Sequence, residues 1–170
     1  MSERTGLVTF AGKPVTLVGD SVKVGDKAPD FTGMNQSLEK ISLSSFAGKT
    51  VIIAVYLSID TGICQKQNRK FNEVAGSMDD VVVLSVSADL PFAHKRFCAA
   101  EGINSIITLS DHIEHEFGQK YGFLVKELGM LARGTVVIDK NGIVQLVEVL
   151  PEIATEPDYD TTLALVEKIK

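Results

Sequence analysis

Two apolar runs constrain the fold of this chain more than any other feature of its 170-residue sequence. Thr50–Tyr56 is rich in β-branched residues, and Val81–Ala88 is a second apolar run further along the chain. Such runs without polar alternation are typical of central strands that are covered on both faces. Between them, apolar residues recur at the spacing of one helical face: Cys64, Phe71, Val74 and Ala75. The pattern predicts an α/β fold in which a helix follows a buried strand.

Two hairpins flank this central segment. Leu7–Phe10 and Val15–Val18 are β-prone runs around a turn cluster and predict an N-terminal β-hairpin. Asn141-Gly142 is a favoured turn dipeptide and predicts a second hairpin between Thr135–Ile138 and Ile143–Val149. The other predictions are strands over Leu38–Leu43 and Ser105–Leu109, helices from Pro91, over Glu114–Tyr121 and over Tyr159–Ile169, and a loop over Gly122–Ala132. We expect one domain, residues 1–170, with a central mixed β-sheet flanked by helices.

Charge and composition exclude several classes of protein. The chain has 17 lysines and arginines against 22 acidic residues, for a net charge of −5, whereas a nucleic-acid-binding domain is usually basic. The sequence shows no apolar run of the roughly 20 residues that span a membrane and no signal peptide, so we expect a soluble cytoplasmic protein. Two cysteines are too few for a disulfide-rich scaffold. Any role they have therefore depends on their reactivity.

Cys64 is the most informative residue, because it follows the first buried run and a polar turn and opens the next helix. Ligands of open α/β sheets gather beyond the carboxyl ends of the strands. A helix N-terminus carries unpaired N–H groups and a partial positive charge, which favour a thiolate over a thiol. Most free cysteines, however, are simply small buried apolar residues. Position alone does not decide between a reactive and a structural Cys64.

Thr61 lies three residues before Cys64, across one helical turn, and strengthens the case for a reactive cysteine. Its hydroxyl can donate a hydrogen bond to the sulfur and accept one from a bound substrate. Thr61, or Asp60 beside it, is equally suited to be the N-cap of the helix. The two roles are compatible.

Four segments, in the same order along the chain, match those of a known family. They are Ser58–Cys64, Ser87–Ala93 with Arg96–Cys98, Leu131–Arg133 ahead of Thr135–Asp139, and Thr155–Tyr159. The first looks like a peroxidatic loop, the second like a resolving-cysteine segment and the third like a strand that supplies an active-site arginine. The fourth matches a C-terminal signature. Over essentially its whole length the chain resembles the thiol peroxidase subfamily of the peroxiredoxins, atypical two-cysteine enzymes with a thioredoxin-like fold.

The resemblance implies a role for each candidate site residue. Cys64 would be the peroxidatic nucleophile, and Thr61 would hold its thiolate and orient the peroxide. Arg133 would stabilise the thiolate and the departing oxygen, although without the resemblance a solvated cation at a strand start is the simpler interpretation. Cys98 would resolve the sulfenic acid as an intramolecular disulfide with Cys64. The implied substrates are hydrogen peroxide and alkyl hydroperoxides, the reductant is thioredoxin, the assembly is a homodimer, and no cofactor or metal is required.

Leu57 departs from the family pattern P-x-x-x-T-x-x-C, in which a proline occupies its position. Leucine can still exclude water from the sulfur, but it adds an N–H group and relaxes the backbone. We expect lower activity or an altered substrate preference rather than loss of function. The alternative is a low-activity or non-catalytic redox sensor or binding protein of the same fold.

Two further alternatives are weaker. His112 and His115, near Asp111 and Glu114, suggest a surface metal site, but the sequence offers no further ligand at a reliable spacing. A purely structural α/β module is the third class of function, and it predicts that neither cysteine oxidises selectively.

Overall fold

The predicted strands and helices occur in the predicted order in the computed structural model, which describes residues 2–170. Three short strands that were not predicted, Thr32–Met34, Leu124–Val125 and Met130–Leu131, are also present. The strands are β1 (Glu3–Phe10), β2 (Lys13–Val18), β3 (Thr32–Met34), β4 (Lys40–Ser42), β5 (Thr50–Val55), β6 (Val81–Ser87), β7 (Ile107–Ser110), β8 (Leu124–Val125), β9 (Met130–Leu131), β10 (Gly134–Ile138) and β11 (Val144–Val149). The helices are α1 (Gly62–Ser77), α2 (Pro91–Glu101), α3 (Glu116–Tyr121) and α4 (Tyr159–Ile169), and a 3₁₀ helix spans Leu43–Phe46. Within the described residues, no helix has the length and apolar character needed to span a membrane.

The central sheet is mixed, as predicted, with the strand order β11-β10-β5-β6-β7-β3-β4. β5, β6 and β7 run parallel to one another, and β10 pairs antiparallel with both β5 and β11. Every residue of β5 and of β10 is buried. The continuous apolar run that predicted β5 therefore reflects a strand covered on both faces.

The register between β5 and β10 determines where the candidate site residues meet. Gly134 pairs with Val55 in the antiparallel ladder, so Arg133 lies beside the carboxyl end of β5, close to where α1 begins. α1 connects β5 to β6, and α2 connects β6 to β7. Because both are crossovers in the same direction between parallel strands, their right-handedness places the two helices on one face of the sheet.

The N-terminal hairpin is present and belongs to a second sheet, with the order β1-β2-β8-β9. The prediction of a loop over Gly122–Ala132 is wrong in part, because this segment contains β8 and β9. β8 joins the hairpin through the pairs Leu17–Val125 and Val18–Leu124. Two-residue strands are too short to show alternation, so these strands are defined by partners that are distant in the sequence.

Several predicted boundaries shift, and the largest shift is that of β1, which begins at Glu3 rather than at Leu7. Only Lys40–Ser42 of the predicted strand Leu38–Leu43 is extended, because Leu38 adopts a φ of 64° and Leu43 begins the 3₁₀ helix. β7 begins at Ile107 rather than at Ser105. The helix predicted from Glu114 begins at Glu116, because His115 is its N-cap with a φ of 52°. α1 already begins at Gly62, ahead of Cys64.

Candidate active site

Cys64 lies in the first turn of α1, where the helix leaves the carboxyl end of the sheet. Its side chain has no exposed surface. The unpaired N–H groups of a first turn create a positive potential that favours an anionic sulfur. Burial removes this sulfur from bulk water, so the groups that touch it decide its chemistry.

Thr61 is the N-cap of α1, which was one of the two roles that the sequence suggested. Its hydroxyl oxygen accepts a hydrogen bond from the Cys64 N–H at 3.4 Å and donates to the Ser58 carbonyl at 3.1 Å. The hydroxyl proton is therefore directed at the preceding turn. Thr61 fixes the backbone of Cys64 and lies in position to meet a substrate, but it does not donate to the sulfur in this arrangement.

Arg133 contacts the Cys64 sulfur directly. Its Nη2 lies 2.9 Å from Sγ, and its Nε donates to the Ile153 carbonyl at 2.7 Å. Its Nη1 donates to the side-chain oxygen of Gln67. Only 2% of the Arg133 surface is exposed. The solvated cation that the sequence alone favoured is therefore wrong.

The hydrogen-bond partners of Arg133 show where its positive charge can be compensated. A buried guanidinium is costly unless an anion compensates it. Within residues 2–170 no carboxylate forms a hydrogen bond or ion pair with Arg133. Since Ile153 and Gln67 supply neutral oxygens, the Cys64 sulfur is the one hydrogen-bond partner of Arg133 in the described residues that can carry a negative charge.

Gln67 belongs to the site, although the sequence analysis did not single it out. It has no exposed surface, its amide nitrogen donates to the Val55 carbonyl at 3.3 Å, and its amide oxygen accepts from Arg133. This arrangement ties the guanidinium to the end of β5. The signal was available, because Gln67 lies three residues after Cys64 and so on the same side of α1.

A cavity of about 240 Å³ adjoins this cluster. Thr61 and Arg133 provide its polar lining. The apolar wall consists of Phe10, Leu57, Ile63, Ile153 and Ala154, with Gly62 between them. Leu57 itself is only 4% exposed, so it closes the site as the sequence suggested. A small oxidant with an apolar substituent fits such a lining.

Cys98 lies on α2 with 5% of its surface exposed, and both cysteines are free thiols. Burial raises the pKa of the Cys98 thiol. Burial therefore opposes formation of the Cys98 thiolate as long as α2 keeps this arrangement.

A buried polar network, which sequence reasoning missed, lies between the sheet and the two helices. Asn68 of α1 donates to the Cys64 carbonyl at 2.8 Å and accepts from Ser85 of β6. Ser85 also lies 3.2 Å from the hydroxyl of Tyr56, and burial raises the pKa of that tyrosine. Serine, asparagine and histidine inside apolar segments give no periodic signal, because each is buried only by virtue of its partner.

The metal site considered from the sequence has no ligand set. Within residues 2–170, no group of three or more histidine, cysteine, aspartate and glutamate side chains is arranged to hold a metal ion. His112 instead has its Nδ1 2.7 Å from the Ser110 hydroxyl. Asp111 caps α3 by accepting from the Phe117 and Gly118 N–H groups, and burial raises its pKa to about 6.

Comparisons with known proteins show what this chain is similar to. The Redoxin family model matches residues 23–163. A thiol peroxidase from Oceanobacillus iheyensis is 49% identical over 161 residues, which cover 95% of this chain and 98% of that protein. A thiol peroxidase from Bacillus subtilis is 52% identical over 153 residues, 90% of this chain and 92% of its own.

Solved structures extend the comparison to the fold. A peroxiredoxin-like protein from Aquifex aeolicus has a TM-score of 0.91 and 38% identity, and the match covers 98% of each chain. A thiol peroxidase from Chromobacterium violaceum has a TM-score of 0.85 over 95% of each chain. At 21% identity, the second match shows a shared fold. The predicted thioredoxin-like fold of the peroxiredoxins is confirmed.

Proposed function

The chain belongs to the Redoxin family and, within it, to the thiol peroxidases of the peroxiredoxin group, and we propose that it reduces hydroperoxides with Cys64 as the nucleophile. The single observation that carries this proposal is the contact between the buried Arg133 guanidinium and the Cys64 sulfur at 2.9 Å. A buried guanidinium at this distance can stabilise a negative charge on the sulfur, and it places fixed donors beside the point where a peroxide oxygen becomes negatively charged.

In the first step, the Cys64 thiolate attacks the terminal oxygen of R–O–O–H. A sulfur–oxygen bond forms and the oxygen–oxygen bond breaks. The leaving oxygen carries the electron pair away and takes up a proton to become ROH, or water if the substrate is hydrogen peroxide. The sulfur of Cys64 is oxidised by two electrons to a sulfenic acid. Arg133 donors stabilise the negative charge on the leaving oxygen.

In the second step, the deprotonated thiol of Cys98 attacks the Cys64 sulfenic sulfur. A disulfide forms, and the hydroxide that leaves is protonated to water. Reduced thioredoxin then transfers two electrons through its dithiol, which becomes a disulfide while Cys64 and Cys98 become thiols again. A thioredoxin system that drives continuous consumption of hydrogen peroxide or an alkyl hydroperoxide tests this cycle. Slow, stoichiometric oxidation without turnover would refute it.

The mainly apolar wall of the 240 Å³ cavity supports alkyl hydroperoxides beside hydrogen peroxide as substrates. A cycle that depends on a dithiol reductant works where such reductants are kept reduced, which supports the cytoplasm as the place of action. Leu90 and Phe92 at the start of α2 are 53% and 66% exposed. Apolar surface of this kind supports the homodimer that the family resemblance implies.

Replacing the second cysteine separates the two chemical steps. In Cys98→Ser we expect oxidation of Cys64 by one equivalent of peroxide to proceed at the parent rate, because Arg133 and Thr61 are unchanged. Recycling by thioredoxin should fall to background, since no disulfide forms. Trapping of the sulfenic acid with dimedone, followed by mass spectrometry, measures the first step, and the coupled thioredoxin assay measures the second. Multiple turnovers at the normal rate in this variant would contradict the resolving role.

The presence of leucine at position 57, where the family pattern has proline, favours the second candidate function, a redox sensor of low turnover. Leu57→Pro should raise the rate of peroxide reaction about two- to fivefold, because the fixed φ of proline favours the loop conformation that holds Cys64. This factor corresponds to a shift of about 0.4–1 kcal/mol in the equilibrium of that loop. Leu57→Val has a side chain of similar size to proline but keeps the N–H, so it serves as the matched control. A competition assay for peroxide measures both rates. An unchanged or lower rate in Leu57→Pro would show that this position is compensated elsewhere.

A further inference from the structure

Asp89, in the loop between β6 and α2, binds the turn that precedes Cys64. Its carboxylate accepts hydrogen bonds from the Ser58 hydroxyl at 2.9 Å and from the Ile59 N–H at 2.8 Å. The Ser58 carbonyl in turn accepts the hydroxyl of Thr61. Asp89 therefore fixes the segment on which the N-cap of α1 and the position of Cys64 depend.

The same carboxylate is joined to α2 through two further side chains. The Ser87 hydroxyl donates to Asp89 at 2.6 Å and lies 2.9 Å from the His94 Nε2. The Tyr56 hydroxyl lies 3.1 Å from the same nitrogen. His94 is in the first turn of α2 and is 1% exposed. We call Asp89, Ser87 and His94 the polar chain.

The single hydroxyl proton of Ser87 determines which groups of the polar chain donate and which accept. Because the Ser87 hydroxyl donates its only proton to Asp89, its oxygen accepts the Nε2 proton of His94. The imidazole is then neutral, with an unprotonated Nδ1 that has no partner in the described part of the chain. Burial lowers the pKa of His94 to about 4, so this direction persists at neutral pH.

His94 and Cys98 share one face of α2, one helical turn apart, and both are buried. His94 therefore anchors the face of the helix that carries the second thiol. A disulfide requires its two sulfur atoms to lie about 2.0 Å apart, whereas Cys64 and Cys98 are free thiols on separate helices. The two sulfur atoms therefore have to approach each other before the bond can form, and both start from buried positions.

We propose that the polar chain holds α2 against the Cys64 segment and sets how readily the Cys64–Cys98 disulfide forms, with Ser87 as the positioning residue that joins the two segments. This inference rests on the proposed function, because it requires Cys98 to resolve the Cys64 sulfenic acid. While the hydrogen bonds of the polar chain are intact, Cys64 reacts with peroxide beside Arg133. When these hydrogen bonds break, Cys98 reaches the sulfenic sulfur, the S–S bond forms, and hydroxide leaves and is protonated to water.

Ser87→Ala tests the proposal, because it removes the hydroxyl that joins Asp89 to His94. The bonds of Asp89 to the Cys64 segment and the contact of the Tyr56 hydroxyl with His94 remain. One net hydrogen bond changes the population of an open state about fivefold. We therefore expect disulfide formation to become about fivefold faster. Oxidation of Cys64 by peroxide should stay within about twofold of the parent rate, because the closed arrangement still predominates. Rapid quenching with an alkylating agent, followed by mass spectrometry, measures the two steps separately.

Ser77→Ala is the matched control, since it removes a hydroxyl hydrogen bond to the Val74 carbonyl at the far end of α1. It should leave both steps unchanged. Disulfide formation that is unchanged or slower in Ser87→Ala would overturn the proposal. A parallel loss of both steps would also contradict it, because it would mean general damage to the site.

Hydrogen exchange provides a readout that does not depend on peroxide. In the reduced protein, the backbone amides of α2 should exchange about fivefold faster in Ser87→Ala than in the unaltered chain, whereas those of α4 should keep their rates. If the exchange rates of the α2 amides are unchanged, the polar chain does not stabilise the packed position of this helix. If the unaltered protein forms no Cys64–Cys98 disulfide, the proposed function is overturned instead. The exchange rates alone then confirm or refute that the polar chain stabilises α2.

Discussion

Cys64→Ser is expected to abolish peroxide reduction and also to destabilise the protein. A serine hydroxyl fits the site but is not ionised at neutral pH, so it does not supply the nucleophile. Arg133 then has no anion, because its remaining partners are the neutral oxygens of Ile153 and Gln67. We expect the free energy of unfolding to fall by about 1–3 kcal/mol, the cost of leaving a buried polar group poorly satisfied.

Peroxide consumption and denaturant unfolding of the reduced protein measure these two effects. Cys98→Ser is the matched control, because it makes the same chemical change at a cysteine that has no guanidinium beside it. It should retain the first oxidation of Cys64 and lose less stability than Cys64→Ser. If Cys64→Ser reduces peroxide at the parent rate, Cys64 is not the nucleophile. If both variants lose the same free energy of unfolding, a negatively charged Cys64 sulfur does not compensate the buried charge of Arg133.

Arg133→Met is expected to lower the rate of Cys64 oxidation by about 10²- to 10³-fold, which is the usual cost of removing one fixed donor from a developing oxyanion. Methionine fills a similar volume without a charge. The variant therefore removes both the charge that favours the thiolate and the donors that face the leaving oxygen. Because the buried cation disappears, its desolvation cost disappears too, and we expect the stability to change less than the rate.

Arg69→Met is the matched control for this prediction. Arg69 lies on the same helix as Cys64, but it is 44% exposed and pairs with Glu101 on the surface. Its replacement should leave the rate of Cys64 oxidation within about twofold, as expected for an exposed ion pair. A rate loss in Arg133→Met no larger than in Arg69→Met, measured by single-turnover oxidation, would mean that the sulfur contact is not used in the reaction.

Much of the fold followed from local patterns. The apolar run of β5, the Asn141-Gly142 turn and the helical spacing after Cys64 each reflect the environment of neighbouring residues, so they are visible in the sequence. β8 and β9 were missed because two-residue strands are defined by pairing with a distant hairpin. Regular patterns predict elements that bury a whole face, whereas short strands depend on tertiary contacts.

In the candidate site, too, local features could be predicted from the sequence, whereas features that depend on tertiary contacts could not. The position of Cys64 at a helix start is a local property and could be predicted from the chain. The burial of Arg133 could not, because it depends on the pairing of Gly134 with Val55, which brings the start of β10 to the end of β5. The polar chain was also hidden, since Ser87, Asp89 and His94 look like ordinary strand, loop and helix residues, and their link to the Cys64 segment joins residues that are distant in the sequence.

The most direct test of Cys64 as a peroxide nucleophile resolved by Cys98 is a single-turnover oxidation of the reduced protein, followed by mass spectrometry of peptides kept under non-reducing conditions. We predict that one equivalent of hydroperoxide consumes both thiols and yields a single Cys64–Cys98 disulfide. Selective oxidation of Cys98, or an unreacted Cys64 after the peroxide has been supplied, would contradict the mechanism.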